Sequence, residues 1–175
     1  MQTAWMAIAT GCAIGGAVLD LRRRRIPNWL SYGGLATALT ARLLWSGWRG
    51  MVDGLLGMLI CAGLLLLFFL RGGMGGGDVK LMAAVGAWAG ARGGLLVLQA
   101  TALAGLLLAL GLIWLRARTV ETLRNALRLA RFHFTTRLRP HPEWNLESPA
   151  ALRLPYALAI ALGAAYAWLA GPLGR

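Results

Sequence analysis

The sequence predicts an all-α, polytopic membrane protein with about six transmembrane helices. Three observations lead there. Hydrophobic residues make up 58% of the 175 positions and charged residues only 14%, a balance too apolar for an ordinary soluble domain. Apolar runs approaching the roughly 20 residues needed to cross a hydrocarbon core recur along the chain, separated by short Gly, Arg and Pro punctuation. The formal charge of +12 is also distributed very unevenly between the two sides such a layout creates.

The runs fall at 3–19, 29–48, 53–70, 79–91, 95–115 and 151–170. The first has no basic segment before it and is followed by four arginines, so it is expected to stay as a membrane helix rather than leave as a secretory signal. The fourth is short, which fits a tilted, buried or partly re-entrant helix. The whole chain, 1–175, reads as a single transmembrane domain.

With the N-terminus outside, one face receives Arg22 to Arg25, Arg71, Lys80, Arg116, Arg118, Arg124, Arg128, Arg131, Arg137, Arg139 and Arg153. That is fourteen of the 18 basic residues, leaving Arg42, Arg49, Arg92 and Arg175 for the other face. The positive-inside rule makes the arginine-rich face cytoplasmic and places both termini outside.

Between the fifth and sixth runs lies a basic cytoplasmic loop at about 116–149. Within it Leu123, Leu127, Ala130, Phe134 and Leu138 recur at helical spacing, with arginines mostly elsewhere around the helix. Such a segment suits an interfacial helix on anionic lipid, so membrane lipid rather than nucleic acid is its expected partner. Trp5, Trp29, Trp45, Trp48, Trp88, Trp114 and Trp168 fall near helix ends and read as interfacial anchors. Cys12 and Cys61 form no C-x-x-C pair, and His133 and His141 lack partners, so neither a metal nor another cofactor is expected.

Only six residues are acidic, and two of them stand in unusual surroundings on the same expected side of the membrane. Asp20 ends the first run in Asp20-Leu21-Arg22-Arg23-Arg24-Arg25-Ile26-Pro27-Asn28, where Pro27 and Asn28 favour a turn and a helix restart. Taken alone, the segment also reads as a stop-transfer arginine cluster with a capping Asp.

Asp78 closes Gly72-Gly73-Met74-Gly75-Gly76-Gly77-Asp78-Val79-Lys80-Leu81. Five glycines in six residues permit close approach of another backbone, at a cost in order that packing or function must offset. Taken alone, this segment also reads as a flexible linker with an Asp N-cap and Lys80 reaching towards the interface. Together the two segments bring two carboxylates to one side of the membrane, and paired carboxylates suit peptide hydrolysis: one removes a proton from water while its protonated partner polarises the carbonyl. Asp53, Glu121, Glu143 and Glu147 stay outside this set.

D-x5-I-P-N after the first helix and G-x-G-D-V-K-L before a later one resemble the type IV prepilin peptidases, which are aspartic membrane proteases. Leu154-Pro155-Tyr156-Ala157 is similar to a Pro-Tyr segment near the end of that family, so the resemblance covers nearly the whole chain. It implies Asp20 and Asp78 as the catalytic pair, and Gly75, Gly77, Lys80, Pro27 and Asn28 as substrate-binding or motif-supporting residues. No metal or cofactor is implied.

The implied function is removal of a short basic leader from prepilin or pilin-like substrates at the cytoplasmic face of a bacterial inner membrane. The layout most resembles the short tight-adherence, Flp-type peptidases and the preflagellin peptidases. The paired C-x-x-C insertion associated with N-methylation in larger members has no counterpart here, so methylation is not implied. A reading from another class is a non-enzymatic membrane assembly factor or transporter subunit, in which the glycines serve packing and the acids serve folding.

Overall fold

The computed structural model describes residues 2–71, 74–115 and 156–171. Every element among them is an α-helix: α1 (Gln2–Arg23), α2 (Asn28–Leu70), α3 (Gly76–Leu115) and α4 (Tyr156–Ala170). The interfacial segment expected at 116–149, both histidines and Leu154-Pro155 lie outside the described residues.

Three of the helices are long and apolar enough to cross a membrane, and α4 is a shorter apolar helix. At about 1.5 Å per residue, α2 and α3 would each be about 60 Å long if straight, twice the thickness of a hydrocarbon core. Both are instead broken at one glycine. Gly47 has φ 63° and ψ −159°, and Gly90 has φ 76° and ψ −179°. Positive φ combined with an extended ψ is essentially closed to residues bearing a Cβ.

Each break folds its helix back on itself. Leu39 and Gly54 would be about 22 Å apart along a straight helix, yet a methyl built on Gly54 would meet Leu39 Cδ2 at 3.4 Å. The described residues thus form six helical segments. Loops were expected near 49–52 and 92–94, but a single reversed glycine does the work of each.

The first half of α3 is the centre of the bundle. Leu81, Met82, Ala84, Val85, Ala87 and Ala89 are fully buried, which resolves the short fourth run as a helix enclosed by its neighbours. α3 packs on all three other helices, whereas α1 and α2 scarcely touch one another. Large apolar side chains such as Leu44, Leu59, Leu103 and Leu107 cover the outside, where acyl chains would be their solvent.

Backbones come closest between the second half of α2 and the first half of α3. A methyl on Gly57 would overlap the Gly86 carbonyl and lie 2.6 Å from the Gly90 carbonyl carbon, both backbone atoms that cannot rotate away. Gly57→Ala is therefore expected to destabilise the bundle by about 1–3 kcal/mol, the usual cost of overpacking. Thermal unfolding in detergent would register this as a lower midpoint.

One anchor assignment is corrected. Trp88 is only 7% exposed and stacks within 5.6 Å of the Trp5 ring, so it is a core residue. The glycine break after it turns the chain inside the protein, which is why a residue near a helix end is not at the surface. Trp29, Trp45, Trp48, Trp114 and Trp168 are exposed.

Candidate active site

The end of α1 and the start of α3 meet at one rim of the bundle. Their register follows from two contacts. Trp5 stacks on Trp88, and Leu81 lies against the bare backbone of Gly16, where a methyl would come within 2.5 Å of its side chain. Moving forward along α1 means moving backward along α3, so the helices run antiparallel. One turn beyond Gly16 on the same face is Asp20, and three residues before Leu81 is Asp78. Both carboxylates thus point into the same α1–α3 seam, just beyond the inner ends of the apolar runs 3–19 and 79–91.

Local structure fixes each of them. α1 continues to Arg23, one turn further than expected, and Arg24 then adopts a left-handed φ of 51°. Its N–H donates to the Asp20 carbonyl at 2.7 Å, so the αL turn closing α1 is built on Asp20 itself. α3 starts at Gly76, which makes Asp78 the third residue of the helix rather than the N-cap. From there its own N–H donates to the Gly75 carbonyl at 3.2 Å, and the Gly75 backbone favours the charged form of its carboxyl. An acid in the first turn of a helix also opposes the positive end of the helix dipole.

Burial above all, together with the negative charge of Asp20, pushes the Asp78 carboxyl up to about 6, with the Gly75 backbone acting in the opposite sense. Burial likewise raises Asp20 above the ordinary carboxylate range. The repulsion between the two carboxylates disfavours both being ionised at once.

The motif-support residues form a brace beside the pair. Ile26 packs over Gly77, where an added methyl would meet its Cβ at 3.4 Å. Lys80 Nζ donates to Asn28 Oδ1 at 3.3 Å and sits 5.1 Å from the centre of the Tyr32 ring. Pro27, with φ −65° and ψ 140°, immediately precedes α2 and gives the extended link that lets the segment turn. The Ile26-Pro27-Asn28 loop therefore rests directly on the start of α3.

Tyr156, present in the sequence only as part of a motif, joins the same region from α4. Its ring lies against Gly105, 3.3 Å from a methyl built there. Gly105 and Asp78 are 27 residues apart in α3, and the fold-back at Gly90 is what brings them to one level.

Asp53 lies at the opposite end of the bundle. It accepts from Arg42 Nη1 at 2.6 Å and from the Ala91 N–H at 3.1 Å, while Arg42 Nη2 donates to the Trp88 carbonyl at 2.7 Å. Trp88 C=O and Ala91 N–H are groups that the break at Gly90 removes from the helical ladder. Among the described residues no three His, Cys, Asp or Glu side chains cluster in a way that would hold a metal ion.

A profile of the Type IV leader peptidase family matches residues 7–110, which include both aspartates and their motifs. The chain is 33% identical over 128 residues to a prepilin leader peptidase/N-methyltransferase of Xanthomonas campestris pv. campestris, covering 64% of this chain and 41% of that protein. It is 36% identical over 107 residues to a prepilin leader peptidase/N-methyltransferase of Aeromonas hydrophila, covering 56% of this chain and 36% of that protein. The matched stretches thus span about two fifths of these curated relatives. No solved structure matches. With the family profile spanning more than half its length, the chain belongs to the type IV leader peptidase family.

Proposed function

We propose that the protein is a membrane aspartic endopeptidase that removes the short leader of type IV prepilin-like substrates, of the Flp type, at the cytoplasmic face of a bacterial inner membrane. The observation that supports it most is the α1–α3 seam, which holds Asp20 and Asp78 together at the rim where the arginine-rich face lies. In this reading the helical segments cross the membrane six times.

The chemistry follows from the unequal environments of the two acids. Asp78, the more strongly raised, keeps the shared proton at rest, and Asp20 starts ionised. Asp20 takes a proton from water as its oxygen attacks the scissile carbonyl carbon, and Asp78 gives its proton to the carbonyl oxygen. Collapse of the resulting gem-diol returns a proton to Asp78 from a diol hydroxyl, while Asp20 passes its proton to the amide nitrogen. The C–N bond breaks, releasing a carboxylate leader and a new amino terminus.

The pH dependence has a defined sign. A carboxyl raised to about 6 holds its proton below that value and loses it above. kcat/KM is therefore expected to fall as pH rises through about 6, with an acid-side limb where Asp20 also protonates. Both apparent values belong to the pair. A pH profile flat from 5 to 8 would contradict this assignment.

The function itself is tested with the protein in proteoliposomes and a Flp-type precursor, by mass measurement of the product. Loss of a basic leader ending immediately before the apolar helix is the expected result. An unchanged precursor mass, with only its assembly affected by the protein, would favour the assembly-factor reading instead.

A further inference from the structure

Because α1 and α2 both pack on α3 but scarcely on one another, an open cleft remains between them. It has a volume of about 460 Å³ and an almost wholly apolar lining that includes Ile8, Gly11 and Cys12 from α1 and Trp29, Gly33 and Thr37 from α2. Trp88 of α3 contributes to its wall. From Trp29 to Thr37 it runs for about 12 Å, roughly two helical turns.

One end of it, at Trp29, lies beside the residues that brace the candidate active site. Trp29 follows Asn28, which is hydrogen-bonded to Lys80, two residues from Asp78. From there the cleft runs along α1 and α2 towards Ile8 and Trp88. Gly11 and Gly33 present bare backbone to it, and a methyl built on either meets no atom within 4 Å. Glycine at such positions lets a second helix approach closely, which is how helices associate where no hydrophobic effect drives them together.

We propose that this cleft is the docking groove for the apolar helix of the substrate, held with its N-terminal end at Asp20 and Asp78. The proposal rests on the peptidase reading and adds where the uncleaved part of the substrate lies. It accounts for a scissile bond at the start of an apolar helix: the helix is seated against α1 and α2, and only the residues preceding it reach the carboxylates.

Filling the cleft with Gly11→Leu or Gly33→Leu tests it, because a methyl built on either glycine meets no atom of the described residues within 4 Å. Two substrates are compared in proteoliposomes: an intact membrane-spanning precursor, and a peptide with the leader and scissile bond but no apolar helix. The ratio of their kcat/KM values is expected to fall at least tenfold in either variant. An unchanged ratio would overturn the proposal.

A second measurement does not depend on turnover. In the Asp78→Asn protein, native Cys12 is oxidised against single cysteines placed along the substrate helix. Disulfides confined to one position of the substrate helix and its neighbour three or four residues away support a helix in the groove. No cross-link, as expected if acyl chains fill the cleft, or Cys12 joining two copies of the enzyme, would overturn it. Failure of the wild-type protein to cut either substrate would instead count against the peptidase reading, while the cross-links would still report on the groove.

Discussion

Asp20→Asn and Asp78→Asn are each expected to lower the rate of leader removal by roughly a thousandfold or more, in line with the 10²- to 10⁴-fold contribution of a single general acid or base. The double variant is expected to be no worse than either single one, because residues that act as one unit lose their contribution together. Stability should move differently. Asp78 is buried beside a like charge, so a neutral amide there relieves both burial and repulsion. The Asp78→Asn protein is therefore expected to be at least as thermally stable as the wild type in detergent above pH 6. Initial rates together with unfolding midpoints would check both halves. A loss of activity that tracked a loss of folded protein would point to a packing role for the acid.

The second large effect is expected far from the carboxylates, at Arg42 and Asp53. Arg42 is 5% exposed, and its guanidinium spans both helix breaks: it pairs with Asp53 beyond Gly47 and with the Trp88 carbonyl before Gly90. It also lies 5.5 Å from the centre of the Trp5 ring. Asp53→Ala would leave that cation without its carboxylate partner and the Ala91 N–H without its acceptor. Removing one partner of a buried pair costs about 3–5 kcal/mol, and the partial exposure of Asp53, 43% at its side chain, argues for the lower end, about 3 kcal/mol. Asp53→Asn retains the acceptor for Ala91 and is expected to lose less. Denaturant titration in detergent would rank the three proteins, and equal midpoints for Asp53→Ala and the wild type would remove the clip from the account.

The aspartates and the clip also mark what could be read from the chain beforehand. That Asp20 and Asp78 meet at one rim was legible because each sits in a local pattern, a turn with Pro27 and Asn28 in one case and a glycine run in the other, and because charge distribution assigned them one side. The helical class was legible from the apolar runs.

The role of Arg42 was not. Its partners at positions 53 and 88 come within reach only after Gly47 and Gly90 reverse the chain, and a sequence with 24 glycines gives no local sign of which two take positive φ. The burial of Trp88 was hidden for the same reason. Asp78 was expected as a possible N-cap, and one or two residues of helix start decided that it stands inside the first turn instead. Nor could a pattern along one chain reveal that α1 and α2 stand apart, since the cleft is a property of how these two helices pack on α3.

The central claim is that Asp20 and Asp78 are one proton-sharing unit, and titrating Asp78 with and without its neighbour tests it without any substrate. Isotope-edited infrared spectroscopy of the protonated carboxyl of Asp78 would follow its disappearance with pH. The account predicts a midpoint near 6 in the wild type and a clear shift to lower pH in Asp20→Asn. A midpoint that stayed where it was on removing the Asp20 charge would contradict it.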